Sequence, residues 1–172
     1  GLVGSEMCIR DRGLIDGRGR PTRRGRIFSF FQNGEGLAVA AALEDGEYAV
    51  EDIAFDLANL RAGARFNDPE GGPAGRLAVL CQRTYRHADC DGYLSMGLPG
   101  DYGDGGGDVV RRVVVERGGL QSFLREDLGL GDLERVVTEW RSLMRQISLA
   151  PEEDWDRWMA LRAVARGLSG LT

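Results

Sequence analysis

The chain has 172 residues, 42% of them hydrophobic and 28% charged, and a net charge of −5. That length suits one domain with a substantial core, and no apolar run approaches the ~20 residues needed to span a bilayer. All 22 Lys-plus-Arg positions are arginine, which excludes a Gly-x-x-x-x-Gly-Lys-Ser/Thr phosphate loop, a Schiff base and a lysine general base, while the acidic balance restricts any nucleic-acid contact to a local surface.

Residues 2–12 read LVGSEMCIRDR and have the features of neither a signal peptide nor a transit peptide. They resemble a translated sequencing adapter. The transposon end ATG TGT ATA AGA GAC AG encodes Met-Cys-Ile-Arg-Asp and then Arg or Ser, as at Met7 to Arg12, and the bases before it encode Leu-Val-Gly-Ser-Glu, as at Leu2 to Glu6. Residues 1–12 are therefore expected to be a disordered artefact, with the natural chain continuing upstream of Gly13.

Residues 13–26, GLIDGRGRPTRRGR, carry five arginines between Arg18 and Arg26 and read as a basic lead-in, either a solvated turn or a phosphate-contacting strip. Thr22 is a candidate N-cap for a helix bearing Ile27, Phe28 and Phe31. A second helix carries Leu37, Ala40, Ala41 and Leu43, and its small residues Ala38, Ala40, Ala41 and Ala42 allow a neighbouring helix to approach closely. Asp45-Gly46 ends it. The third places Glu51 and Asp52 in its first turn, where acids favour the helix dipole, and closes at Arg61-Ala62-Gly63. After the loop NDPEGGPAG, a helix is expected with Leu77, Leu80, Cys81, Thr84 and Tyr85 on one face.

Residues 86–108, including GLPGDYGDGGGD, read as a flexible Gly-rich connection whose Asp101, Asp104 and Asp108 would repel phosphate. DVVRRVVVERG is valine-rich, yet Val109, Val110, Val113 and Val114 at helical spacing favour a helix. A shorter helix is expected around Leu120 to Leu128. Gly131 to Ala150 gives the clearest helix, with Leu133, Val136, Val137, Trp140, Leu143, Met144 and Ile147 in one stripe, and Pro151 ends it. A last helix, from about Glu152 to Gly167, is expected to act as a terminal brace. The fold class is thus all-α: an irregular bundle of about six to seven helices with a Gly-rich central connection. The organisation is a single helical domain over 27–172, with halves at 27–88 and 108–172 joined through 89–107.

Cys81, His87 and Cys90 have a C-x5-H-x2-C spacing that matches no common zinc pattern, so no metal is expected. His87 is the one histidine, and no Gly-x-Ser-x-Gly elbow accompanies it. The cysteine usage and the lack of a signal segment suit a reducing cytoplasm.

The succession of PTRRGRI, a GEGL helix, an acidic turn at Glu44 to Glu47 and a helix ending DLANLRAG resembles the start of the helical C-terminal region of the Superkiller-type (superfamily 2) DExH-box helicases. In that family a Thr-x-x-Gly-Arg lead-in precedes a helix, a Glu-Leu-rich helix and an alanine- and leucine-rich helix. GDLERVVTEWRSLMRQI also resembles that region's helix of the form Gly-x-Leu-x-Arg followed by Leu-x-Arg-Gln, matching at Gly131, Leu133, Arg135, Leu143, Arg145 and Gln146. The resemblance covers most of residues 20–150. Between Asn67 and Leu130 the chain is Gly-rich and departs from the family's usual helix, and the family's phosphate loop, acidic box and final arginine motif are absent.

The resemblance implies a parent DEAD/DEAH-box helicase whose two motor lobes, with their ATP and Mg, lie upstream, no cofactor belonging to this fragment. In that family the helical domain packs against the motor and lines the exit path of a single strand of RNA or DNA, one helix acting as a ratchet. The strand-guiding residues it implies are Arg135, Arg141, Arg145 and Gln146, with Arg23, Arg24 and Arg26 of the lead-in. An alternative is a non-catalytic protein-interaction module with no nucleic-acid role, anchored by Trp140, Trp155 or Trp158. A small independent enzyme is disfavoured, because the carboxylate pairs Glu51 with Asp52 and Glu152 with Glu153 are adjacent on helices and do not face each other.

Overall fold

The computed structural model describes residues 9–32, 34–71, 75–85 and 104–170. Among them all regular structure is helical apart from two isolated bridges, Ile15 with Pro21 and Arg125 with Leu128. The described α-helices are α1 (Arg23–Ser29), α2 (Glu35–Glu44), α3 (Val50–Asp56), α4 (Asn59–Ala62), α5 (Arg76–Tyr85), α6 (Gly106–Val114), α7 (Leu130–Leu149) and α8 (Asp156–Leu168). The all-α expectation holds. The helix expected to close at Gly63 is broken instead: at Ala58 the backbone tightens, its N–H bonding to Phe55 O, and the segment becomes α3 and α4.

The chain forms two compact units, one drawn from 1–46 and 76–100, the other from 47–75 and 101–172. The chain leaves the first unit at Gly46 and returns to it at Arg76.

In the first unit α2 is buried on every side from Glu35 to Leu43, as expected of a helix that is apolar all round. Both α1 and α5 pack on it. Close approach to α1 requires Gly36, where a Cβ would stand 2.7 Å from Phe28 Cα. From α5, the Tyr85 hydroxyl donates to Leu37 O at 2.7 Å. Thr22 is the N-cap of α1: its hydroxyl accepts from Gly25 N at 3.0 Å and donates to Gly13 O at 2.5 Å. The lead-in is an ordered turn, because Asp16 accepts the backbone N–H of Arg18 and of Arg20 and pairs with the Arg20 guanidinium at 2.9 Å. The disorder expected over 1–12 does not extend to residues 9–12. Residues 9–11 are helical, Leu14 N donates to Ile9 O at 3.0 Å, and Arg12 is buried. Residues 1–8 lie outside the described ones.

In the second unit α7 packs along α8 and α6, and α3 packs on α6 and α8. Trp140, fully buried near the middle of α7, donates from Nε1 to Ala54 O at 2.7 Å and stacks on Phe55 with ring centroids 5.7 Å apart. Ala54 O is free to accept because α3 ends two residues later, leaving its last carbonyls without helical partners. Residue 150, preceding Pro151, is extended at ψ 157, which terminates α7. The C-terminal helix is shorter than expected, starting at Asp156, and contributes Trp158, Leu161 and Ala165 to the core.

Two expectations fail in this unit. The segment 120–128 forms a 3-10 turn, Gln121–Phe123, and then the Arg125–Leu128 bridge, not a helix. Arg125 causes this: it donates to Asn67 O at 3.0 Å and to Arg65 O, holding the segment extended across the 65–67 backbone. Residues 104–107 are not flexible filler either. Asp104 N donates to Asn67 Oδ1, its carboxylate accepts Gly75 N, and α6 begins at Gly106. A Cβ at Gly105 would lie 2.1 Å from Phe66 O, and one at Gly106 2.8 Å from Ala62 Cβ, so these glycines permit contact. Residues 86–103, with His87, Cys90 and Asp101, lie outside the described ones.

Two stability effects follow from this packing. A Cβ at Gly25 would meet Leu14 O at 1.9 Å, so Gly25→Ala is expected to destabilise by about 1–3 kcal/mol, read as a lower urea midpoint at unchanged slope. Arg117 follows α6 at φ 52 while Gly118 N reaches back to Arg112 O at 2.9 Å, a helix stop that glycine fills without a side-chain clash. Arg117→Gly is expected to raise stability by about 1 kcal/mol in the same experiment, and no gain would mean that the side chain compensates for its backbone.

Candidate nucleic-acid interface

The expected strand-guiding residues lie on two elements in different units. On α7 the sequence alone fixes which side faces water. At 100° per residue Leu133, Val136, Val137, Trp140, Leu143, Met144 and Ile147 share one side, and all are buried. Arg135, Arg141, Arg145 and Gln146 occupy the opposite side, and all are exposed.

These four do not form one cluster. Arg141 and Arg145, one turn apart, sit at one edge of the exposed side, and among the described residues neither makes an ion pair. Arg135 and Gln146 fall at the other edge, separated along the axis by roughly 16 Å. Arg135 is already engaged with Glu139, 3.6 Å away at i+4. Exposed pairs of this kind contribute about 0.3–0.5 kcal/mol, so an incoming phosphate can displace the carboxylate at small cost.

The N-terminus of α7 is pinned from outside. Arg65 forks onto Asp132, with Nη2 2.8 Å from Oδ1 and Nη1 3.3 Å from Oδ2, and Asp132 Oδ2 accepts Gly129 N at 3.2 Å. The Arg65 hydrogen bond, then the Gly129 N–H, holds the Asp132 carboxyl below its ordinary value. No local signal marks this partnership, since the two residues are 67 positions apart.

In the lead-in, Arg23 and Arg26 are exposed, and Arg26 donates to Pro21 O at 3.3 Å. Arg24 is placed differently. Its guanidinium forks onto Glu44 at 2.9 and 2.6 Å, donates to Arg12 O at 2.6 Å and lies over the Tyr85 ring at 5.4 Å. The Glu44 hydrogen bonds raise the Arg24 pKa against the opposing effect of burial. Arg24 thus ties α1 to α2 and to the turn at Arg12, with no donor arrangement open for a phosphate. The exposed Arg18, at the tip of the Asp16 turn, was not singled out from the sequence, although Asp-Gly-x-Gly is a turn signature that displays its third residue.

The other candidates resolve as core. Cys81 is a free, buried thiol whose pKa burial pushes up to about 12, which removes it from thiolate chemistry near neutrality. Trp140 and Trp158 are fully buried, and Trp158 Nε1 donates to Pro151 O at 2.9 Å. No helix among the described residues is long and apolar enough to cross a membrane. No family model, curated protein or solved structure matches the chain.

The division of labour among the arginines is measurable. Arg24→Gln is expected to cost about 1–2 kcal/mol of unfolding free energy, because a half-buried, bidentate charge-assisted pair is lost. Arg18→Gln, at an exposed side chain, should stay within about 0.5 kcal/mol of the parent. Equal effects in urea titrations would refute the clamp assigned to Arg24.

Proposed function

We propose that this chain is the helical accessory region of an ATP-dependent DEAD/DEAH-box nucleic-acid helicase, guiding a single strand and performing no bond chemistry of its own. The motor lobes, with ATP and Mg, belong to the longer parent protein. The observation that carries this reading is α7. On the helix that resembles the family's Gly-x-Leu-x-Arg and Leu-x-Arg-Gln stretch, every proposed strand contact faces solvent, and Arg141 with Arg145 offers two guanidinium groups without carboxylate partners among the described residues. Arginine suits that task, because its planar fork binds a phosphate bidentately and also stacks on a base. A 20-residue helix presents such groups at fixed intervals of about one turn.

The interaction-module reading loses two of its three anchors, since Trp140 and Trp158 are spent inside the second unit. Of the lead-in candidates, Arg23 and Arg26 remain as secondary phosphate contacts, and Arg24 is reassigned to the Glu44 pair.

The test is fluorescence anisotropy with labelled single-stranded RNA and DNA of mixed sequence, across a salt series. Weak, sequence-tolerant binding is expected, with Kd near 10⁻⁴–10⁻⁶ M at the low-salt end and a steep loss with added salt. Arg141→Glu with Arg145→Glu should reduce the slope of log K against log salt by about 1.4, or ~0.7 for each phosphate contact removed from a single strand. Salt-independent binding, or none at the lowest salt by a chain shown to be folded by circular dichroism, would overturn the proposal.

A further inference from the structure

Within the second unit the 3-10 turn, the start of α6 and the 66–69 loop enclose a cleft of about 320 Å³ that the strand-guiding reading does not use. Its size falls at the lower end of the ~300–1,000 Å³ typical of small-molecule sites. The apolar lining comes from Phe66, Val109, Phe123 and Leu128, of which Phe66, Val109 and Leu128 are otherwise core side chains. The cleft is held open by fixed geometry: Arg125 ties the 125–128 turn to the 65–67 backbone, and Asp104 is tied to Asn67 and Gly75.

Charge decides what such a space would take. Three carboxylates, Asp68, Asp104 and Asp108, line it against one guanidinium, Arg125, so its lining carries three negative groups to one positive. Arg125 commits one donor of each terminal nitrogen to a carbonyl, Asn67 O and Arg65 O, which leaves its single positive charge outnumbered by the carboxylates. Asp104 and Asp68 each commit Oδ1 to a backbone N–H, from Gly75 and Glu70 respectively, and Asp108 is exposed in the first turn of α6, its carboxylate making no hydrogen bond among the described residues. An anion would meet repulsion from all three. Among the described residues no carboxylate group is arranged to hold a metal ion. An organic cation with an apolar body satisfies both halves of the lining, its ammonium or guanidinium at the carboxylates and its carbon skeleton against Phe66 and Phe123.

We infer that this cleft is a binding site for a small organic cation, an alkyl- or aryl-ammonium or guanidinium compound, separate from the strand-guiding surface of α7. The reading is independent of the helicase assignment and survives or fails without it.

The experiment uses the full 172-residue chain. Phenethylammonium and agmatine are titrated into isotopically labelled protein and followed by NMR, with phenethyl alcohol and phenylpropionate as neutral and anionic counterparts of similar shape. Saturable shifts at Val109, Phe123 and Leu128 are expected for the two cations. The anion should give none, and the neutral compound should bind about tenfold more weakly, the loss of one charge-assisted contact. Asp108→Asn, at an exposed position that should leave the fold intact, is expected to weaken cation binding about tenfold and to leave phenethyl alcohol unchanged. Equal binding of cation and anion, shifts elsewhere only, or cation affinity unaltered in Asp108→Asn would each overturn the inference. If Asp108→Asn perturbs the fold, Asp68→Asn, which keeps an acceptor for Glu70 N, decides the same question.

Discussion

The second unit depends on the Phe55 ring and its two partners: the Arg111 guanidinium lies 4.3 Å from the ring centre, and the Trp140 ring stacks with it at 5.7 Å between centroids. One residue comes from α6, one from α3 and one from α7, so a single ring links three helices. The Trp140 Nε1 bond to Ala54 O adds direction that dispersion alone lacks. It consumes a carbonyl that the end of α3 would otherwise leave unpaired in the core, where an unsatisfied acceptor costs about 1–3 kcal/mol. Rotation of α7 about its axis would break that bond and bury a charge. The side that displays Arg141 and Arg145 is therefore set by an interaction on the far side of the helix.

The same economy governs the close contacts. α6 starts with two glycines against α3 and α4, and its Gly107 N–H is accepted by Asn59 Oδ1 at 2.9 Å from inside the core. Asn59 does for this helix what a local N-cap would normally do, from 48 residues away. A bulkier residue at Gly105 or Gly106 would push α6 outward, separating its buried Val109 and Val110 from α3 and opening the contact at Arg111. Backbone proximity, not looseness, is what these glycines supply.

Much of this was legible in the sequence, and the failures share a cause. The stripe of α7, the Thr22 cap, the stop at Gly63 and the proline end after Ala150 are local signals, carried by residues within a turn or two of each other. All are found where the spacing put them. Valine-rich α6 was also recoverable, because its helical spacing outweighed its strand propensity. What failed was decided by distant partners. Arg125 turns a helical-looking segment into a bridge by bonding the 65–67 backbone, and the 47–62 helix breaks where α4 packs against α6 and α7. Arg24 looked like its neighbours Arg23 and Arg26, and partners distant in sequence distinguish it, Glu44 20 residues on, Arg12 O and the Tyr85 ring. Of the candidate strand contacts, exposure on α7 could be read from periodicity, whereas the partnering of each arginine could not.

That last point bears on how an all-arginine chain divides its charge. Arg24, Arg65, Arg111 and Arg125 act as cross-links, each joining segments far apart in sequence through forks, ring contacts or carbonyls. Guanidinium suits this because its several donors are fixed in one plane, so one side chain can satisfy two or three acceptors at a time. Of the arginines on α7, Arg141 and Arg145 lie along one edge and Arg135, paired with Glu139, at the other, within a chain that is acidic overall. A polyanion approaching such a surface is attracted only within about a Debye length, ~8–10 Å at physiological salt, and repelled by the rest of the chain beyond it. Capture from solution is then inefficient, and the strand-guiding role proposed above would require the strand to be delivered to α7 by an adjoining motor. In that proposed role a local, weakly retaining surface would release each phosphate as the strand advances, where a globally basic one would hold it.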